Sequence, residues 1–489
     1  MNRRVVIHVS SFVLGFVSLG LLLSAAVSYL LDDPVEATRG LGISFGITFF
    51  VALLMYGFTR GEMKLQRKDS YAIVTIGWLL AACFGALPYL LSGAIPSIPS
   101  AFFESMSGLT TTGATVMDNL DQQPRGVLFW RSLSQWLGGM GVLVLVVAVI
   151  PFLGVGAMAL YQAEIPGVSA ERLAPRIGAT ARILWYMYLV MTLVCAVCLL
   201  LCGMSVYDSI NHAFSTVSTG GFSTHPQSIE GFDSLAIEGV IIVFMLLGGI
   251  NFALHFRALK GGVKAYLKDT ELRVMFGLLA TVILIMTFSL WHQSENPFDT
   301  FFSAFRASTF EAVSILTTTG FGGHGAQQFQ TWSVVAVTLI GIISFFGACS
   351  GSTSGGMKLV RLILAAKVAL RELKLMVVSR AVYRIRIDGA VVEERMVART
   401  VAFLLLFVVI AAISSEVMTF FAPDEITAVS SVYACMTNVG PGVGKYIGPE
   451  GNFAVISDGG KVYLSFLMLL GRLEIFTLLV LFTPTFWRR

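Results

Sequence analysis

The residues of this chain best suited to chemistry are threonines and glycines placed where a membrane protein normally avoids polar backbone. The segment SGLTTTGATVMDNL (Ser107–Leu120) follows a short apolar run and precedes a longer one. Aligned on one glycine, its echoes are FESMSGLTTTGATV at Gly113, INHAFSTVSTGGFS at Gly220, FEAVSILTTTGFGG at Gly320 and SSVYACMTNVGPGV at Gly440. The copies lie roughly a hundred residues apart, a period that makes each one a whole structural unit and no short solenoid repeat. Successive backbone carbonyls turned to one side can replace the water shell of a monovalent cation. Glycine tolerates the dihedral angles this needs at least cost, a preceding threonine adds a hydroxyl oxygen, and no ring of acids occurs within the segments. A single copy reads sooner as a small-residue packing turn. Four copies, each behind a short amphipathic piece on the same side, favour an ion filter.

A second constellation is FFGACSGSTSGGMKLV (Phe345–Val360), with Gly347, Gly351, Gly355 and Gly356 among Ser350, Ser352, Thr353 and Ser354. Each glycine weakens a helix by about 1 kcal/mol relative to alanine, so the run reads as a kinked, closely packed helix or as an unwound segment. Arg472, in LLGRLEIFTLLV, falls in the middle of an apolar stretch expected to be one helix from Val462 to Phe482. A charge at that depth marks function by default, and its guanidinium needs oxygens that an unwound Gly347–Gly356 would offer. Glu474, two residues on, faces away on a helix. Glu104 and Glu311 share a register nine residues before their glycines, where Asn211 and Ser431 stand in the other repeats, and read as anchors of the short helices behind the filter.

These residues must be held by a membrane framework. Of 489 residues, 56% are hydrophobic and 13% charged, too little polar surface for a soluble fold of this length. About ten spans of ~20 residues begin near Val5, Gly42, Tyr71, Val127, Ile183, Leu235, Val274, Val334, Val401 and Val462. The first apolar run is too long for a signal peptide and reads as a retained helix. Ser100–Thr110, Asp208–Val217, Asp299–Leu316 and Asp424–Met436 are too short to cross, and would enter and turn back, with Asp208, Asp299 and Asp424 at or beside helix starts. Such backbone is tolerated at membrane depth where it lines a watery cavity. The fold expected is an all-α membrane protein with four pseudo-symmetric helix–pore loop–helix repeats around one ion pore, preceded by two extra transmembrane helices. The divisions are 1–68 for the N-terminal hairpin, then 69–155, 178–260, 270–378 (with the intramembrane loop 347–356) and 395–489 for the repeats.

Net charge is +4, and the cations alternate between loops. Arg3, Arg4, Arg60, Lys64, Arg257, Lys260, the ten cations from Lys358 to Arg399 and the terminal arginines share one set, which the positive-inside rule assigns with both termini to the cytoplasm. The other set holds acids. The basic loops carry no aromatic-interleaved nucleic-acid motif. The six cysteines lie in apolar stretches without zinc spacing. GSTSGG lacks the Gly-Lys-Ser/Thr ending of a phosphate loop, and WLGGMG (Trp136–Gly141), placed in a helix, opens no βαβ unit. A serine mechanism lacks a base in the right setting, so no enzyme is expected.

On these motifs the chain resembles, over essentially its whole length, the membrane subunit of Trk-type potassium uptake systems (the TrkH/TrkG family of the Trk/Ktr/HKT superfamily). The resemblance implies a potassium selectivity filter made of Thr111, Thr112 and Gly113; Ser218, Thr219 and Gly220; Thr318, Thr319 and Gly320; and Asn438, Val439 and Gly440. The fourth loop departs most, with Asn438, Val439 and Pro441. It also implies potassium over sodium and a gate formed by Gly347, Ser350, Gly351, Ser352, Thr353, Ser354, Gly355 and Gly356 with Arg472. Implied partners are the bilayer of a bacterial inner membrane, a second copy in a homodimer, and a cytosolic nucleotide-binding regulatory ring of the TrkA kind docking on Lys358–Arg399. The chain itself is expected to bind no cofactor, only K⁺ as the transported ion. Coupling of potassium to H⁺ or Na⁺ in a symporter is the alternative; that class favours paired broken repeats, against which four like-oriented units argue.

Overall fold

The structure, a computed structural model, describes residues 1–59, 66–141, 177–293, 298–378, 383–449 and 451–488. The fold is almost wholly helical. Two helices, Arg3–Leu30 and Val35–Phe58, form the N-terminal hairpin. The first buries Val6, Val9, Val13, Val17, Leu21, Ser24 and Ser28, spaced three or four apart, against its neighbours. The second is apolar all round and mostly exposed, as a lipid-facing helix is. Its Ser44 and Thr48 return their hydroxyls to carbonyls one turn back, both at 2.7 Å, and so hide their polarity.

Each repeat then supplies an outer helix, a short re-entrant pore helix and an inner helix. The outer helices are Lys68–Leu91, Thr180–Leu201, Thr270–Trp291 and Glu394–Met418. The pore helices are Ile98–Leu109, Val206–Val217, Phe301–Leu316 and Glu425–Met436, close to the expected half-length pieces. Asp424 caps its helix by accepting from Thr427 N at 2.7 Å. In the second and third repeats the cap is instead Ser205 and Thr300, because those hydroxyls sit one position outside the first turn.

The inner helices differ most from expectation. Among the described residues six helices are long and apolar enough to cross a membrane, or up to eight if each bent pair counts as one span, and not ten. Arg125–Gly139 stops at Gly139, so WLGGMG ends a helix instead of lying inside one; residues 142–155 of the first repeat lie outside the described residues. Leu235–Gly249 bends by 96° into Phe252–Gly261, and Asp458–Arg472 bends by 108° into Phe476–Phe482. The single helix expected from Val462 to Phe482 is therefore broken, with Glu474 and Ile475 at positive φ. Val334–Ile343 gives way to an irregular segment before Leu359–Val377.

The breaks have a packing cause. A Cβ at Gly138 would strike the Leu109 carbonyl, one at Gly248 would crowd that of Val217, and one at Gly471 would strike that of Met436. Three inner helices thus press a bare glycine backbone onto the end of a pore helix. Beyond that level the basic stretch forms a small antiparallel hairpin, Arg386–Ile387 with Ala390–Val391, turned by Asp388-Gly389 at positive φ. The six cysteines are free thiols.

Candidate functional site

The C-terminal ends of all four pore helices lead straight into the Thr/Gly segments, so their partial negative charge faces whatever lies there. The segments close a ring. A Cβ built on Gly113 would strike the Gly220 carbonyl, one on Gly221 that of Thr319, one on Gly320 that of Val439, and one on Gly440 that of Thr112. Loop one meets two, two meets three, three meets four, and four meets one. The same four glycines line a cavity of about 150 Å³ at the mouth of the ring, with Asp118 and His225 on its rim.

The ring corrects the register of the second loop. Gly113, Gly221, Gly320 and Gly440 have φ of +83°, +81°, +77° and +98°. Two residues before each stands Thr111, Thr219, Thr318 or Asn438, with φ of +54°, +53°, +57° and +56°. The amides of Thr112, Gly220, Thr319 and Val439 return to carbonyls five residues back, at 2.8 to 3.0 Å. Gly220 therefore matches Thr112, Thr319 and Val439, and the residue of the second loop that matches Gly113, Gly320 and Gly440 is Gly221. Ser218 falls one step earlier, at the pore-helix C-cap with Thr110, Thr317 and Thr437. Adjacent glycines had hidden the shift. The room left by the missing side chain at Gly220 is filled by Gln135, whose amide donates to the Gly220 carbonyl at 2.5 Å and accepts from Phe222 N at 3.1 Å.

With that register His212, and not Asn211, takes the place of Glu104 and Glu311. All three tie the pore helix to the chain just past the glycine. Glu104 accepts from Thr115 Oγ1 at 3.0 Å and Val116 N at 2.8 Å, Glu311 accepts from Gly323 N at 3.1 Å, and His212 Nε2 pairs with Ser223 Oγ at 3.0 Å. In the fourth repeat Ser430, one residue before Ser431, donates to the Val443 carbonyl at 2.9 Å. Glu104 also carries a buried ion pair with Arg131 at 2.6 Å, and Arg131 donates to the Ser223 carbonyl at 2.9 Å. Asn438 replaces a threonine in the fourth loop, where its amide donates to Thr112 Oγ1 and the Met468 carbonyl, both at 3.0 Å.

Beneath the ring runs the unwound segment, with Gly347, Gly351, Gly355 and Gly356 all in it. Gly351 and Gly356 have φ of +73° and +71°. Gly355 N donates to Thr318 Oγ1 at 2.7 Å, and a Cβ there would strike the Thr437 carbonyl. Thr353 Oγ1 donates to the carbonyls of Val217 and Gly248 at 3.1 and 3.0 Å. Arg472 reaches the segment as its charge required. It donates to the Thr353 carbonyl at 2.9 Å and to those of Gly138 and Gly139 at 2.7 and 2.9 Å. Glu474 points elsewhere, into a pair with Arg361. Ser352 and Ser354 share a hydrogen bond at 2.8 Å, and Lys358 donates to the Ser354 carbonyl. Ser350 is held from outside, its amide and hydroxyl donating to Glu271 at 2.8 and 3.0 Å.

The sequence model of a family described as TrkH, cation transport protein, matches residues 43–489. A potassium uptake protein TrkH of Vibrio parahaemolyticus is 41% identical, with both chains covered in full. The Escherichia coli K12 TrkH is 40% identical over 92% of this chain and 93% of its own, and the TrkG of the same strain is 34% identical over 99% of each. The crystal structure of the potassium transporter TrkH from Vibrio parahaemolyticus superposes with a TM-score of 0.88, at 37% identity over 100% of both chains. The chain belongs to the TrkH family.

A TrkH-family chain is a multi-pass membrane protein, and the relatives are named as uptake proteins, not enzymes. Within this member, residues that sequence reasoning missed include Gly221, Gln135, Lys358 and Glu271. Gly221 was legible as the second of two glycines. Glu271 drew no reading and Lys358 read only as the first cation of a basic loop, and only the folded path of the segment brings them to it. Among the described residues no cluster of His, Cys, Asp and Glu could hold a metal; a filter of neutral oxygens for a transient ion is of a different kind.

Proposed function

We propose that this chain takes up potassium across a bacterial inner membrane through the ring of four pore loops. The closed cycle of glycine-to-carbonyl contacts carries this reading, because four backbone segments meeting on one axis set neutral oxygens around a single path. Pore-helix ends add negative potential there without a fixed charge that would hold the ion too tightly. The filter is Thr111, Thr112 and Gly113; Thr219, Gly220 and Gly221; Thr318, Thr319 and Gly320; and Asn438, Val439 and Gly440, with Ser218 just behind it. The relatives' names support potassium as the ion. The repeat bounds given above and a cytoplasmic position for both termini belong to the same reading.

The segment Gly347–Gly356 serves as the gate and Arg472 as its clasp. It crosses under the filter largely on hydrogen bonds to several repeats, with only Ala348 and Cys349 of its side chains in the apolar core, so it can move at small cost. Family resemblance adds a homodimer and a cytosolic nucleotide-binding ring. Of the basic residues offered for docking, Arg371 is already paired with Glu372 and Glu394, at 3.1 and 2.6 Å, which leaves Lys374 as the more available cation. The deciding experiment is growth rescue of a potassium-uptake-deficient bacterium at low external potassium, with and without the soluble ring. Failure of the full system to restore growth, with the protein present in the membrane, would refute uptake.

A further inference from the structure

Where the second inner helix turns by 96°, the chain leaves the axis of Leu235–Gly249 nearly at a right angle, with Phe252 N donating to the Gly351 carbonyl, and runs on through Gly261 to Lys268. This elbow is rigid. His255 is clamped between the Leu247 carbonyl at 2.9 Å and Tyr266 Oη at 2.8 Å, so Lys264–Lys268 is fastened back onto the spanning helix. Its outer side is apolar, with Leu259, Val263 and Leu267 exposed at 80, 73 and 72%. Interleaved with them are Lys260, Lys264 and Lys268. Exposed apolar side chains set next to lysines in this way suit the boundary between headgroups and acyl chains.

Behind the elbow lies a cavity of about 1180 Å³, walled by the start of the Thr270–Trp291 helix and by the Arg386–Val391 hairpin. Six cations line it: Arg257, Lys264, Lys268, Arg273, Lys367 and Arg386. Its acids are Asp269, Glu271, Asp388 and Glu393, two fewer than the six cations. Asp269 accepts from Leu272 N at 2.9 Å, Asp388 from Thr270 N and Oγ1 at 2.9 and 2.6 Å, and Glu271 from Ser350 and from Val360 N at 2.9 Å. Lys264, Lys268 and Arg386 make no salt bridge among the described residues. Lys367 braces the hairpin by donating to the Arg386 carbonyl at 2.6 Å, so the walls are preformed.

We propose that this cavity binds the phosphate headgroup of an acidic phospholipid, whose acyl chains run out over Leu259, Val263 and Leu267. Excess positive charge selects an anion, and the exposed Leu259, Val263 and Leu267, each next in sequence to a lysine of the same segment, select a lipid over a soluble phosphate. The floor of the cavity is Glu271 with Ser350 and Val360, the attachment of the unwound segment, so the lipid abuts the element assigned above as the gate. Binding itself does not depend on that assignment.

The test uses the full-length protein in neutral detergent, titrated with phosphatidylglycerol or with phosphatidylcholine of the same short chain length while the melting midpoint is followed. Phosphatidylglycerol should give a saturable rise and phosphatidylcholine none. The triple variant K264Q/K268Q/R386Q should need at least ten times more phosphatidylglycerol, and K264R/K268R should match the unaltered protein. L259S/V263S/L267S should also weaken the lipid. Inorganic phosphate is the second arm: an equal, saturable rise with phosphate alone would overturn the lipid assignment. Equal phosphatidylglycerol affinity in the unaltered protein and the triple variant would overturn the site. If the triple variant does not fold, K264Q and K268Q singly, both on exposed side chains, carry the test with a severalfold loss expected.

Discussion

Exchanging one of two adjacent glycines separates the geometry of the ring from the simple alignment of the sequence. Gly221 sits at φ +81°, and a Cβ there would meet the Thr319 carbonyl, a backbone atom that cannot swing aside. Alanine in the left-handed region costs about 1–2 kcal/mol, and relief of the collision must displace the very carbonyl that faces the path. An ion-binding difference of about 1.4 kcal/mol is a tenfold change in selectivity, so Gly221→Ala should lower the K⁺/Na⁺ flux ratio by roughly tenfold or more. Gly220 is the contrasting case. Its φ is not positive, its counterparts are Thr112, Thr319 and Val439, and the nearest atoms an added Cβ would meet are the end of Gln135. Gln135 can turn away, losing two hydrogen bonds worth about 1 kcal/mol each. Gly220→Ala should therefore reduce stability by about 1–2 kcal/mol and leave the K⁺/Na⁺ ratio within about twofold. Proteoliposomes loaded with K⁺ or Na⁺ and assayed for flux give both ratios, with Gly113→Ala as the reference for a ring glycine. Loss of selectivity in the Gly220 variant with retention in the Gly221 variant would refute the corrected register.

Arg472→Ala should raise K⁺ flux in the absence of the regulatory ring while leaving the K⁺/Na⁺ ratio nearly intact; unchanged, ring-dependent flux would reduce the contact with Thr353 to packing. Glu104→Ala leaves Arg131 buried without its partner, a loss of about 3–5 kcal/mol, and should lower the melting temperature of the purified protein far more than substitution of the exposed Glu372. Charge reversal at Lys374 should weaken co-purification with the ring at low salt, and reversal at Arg371 should add the loss of its Glu372 and Glu394 pairs. Undiminished pull-down from both would move the docking surface elsewhere.

The class of this protein was legible in its residue types alone. Long apolar runs admit only helices at membrane depth, since each backbone group must be satisfied within its own segment. Four Thr/Gly segments behind half-length amphipathic pieces then marked a four-loop pore, and Arg472 marked an unwound partner because a buried guanidinium needs oxygens. Tertiary structure alone decided how the inner helices end. Gly138, Gly248 and Gly471 look like ordinary helix glycines until a pore helix is packed against each, and among the described residues the number of complete spans is below the hydropathy count. It also decided which glycine of the second loop takes the left-handed φ of Gly113, Gly320 and Gly440. Gly220 and Gly221 are the same residue to an alignment, and they differ only in the φ imposed by the neighbouring loop and in the space that Gln135 takes. Glu271 and Lys358 were invisible for a related reason. Local pattern carries the periodicity of one element, whereas the partners of these side chains come from a segment with no periodicity, whose path is fixed by contacts distant in sequence.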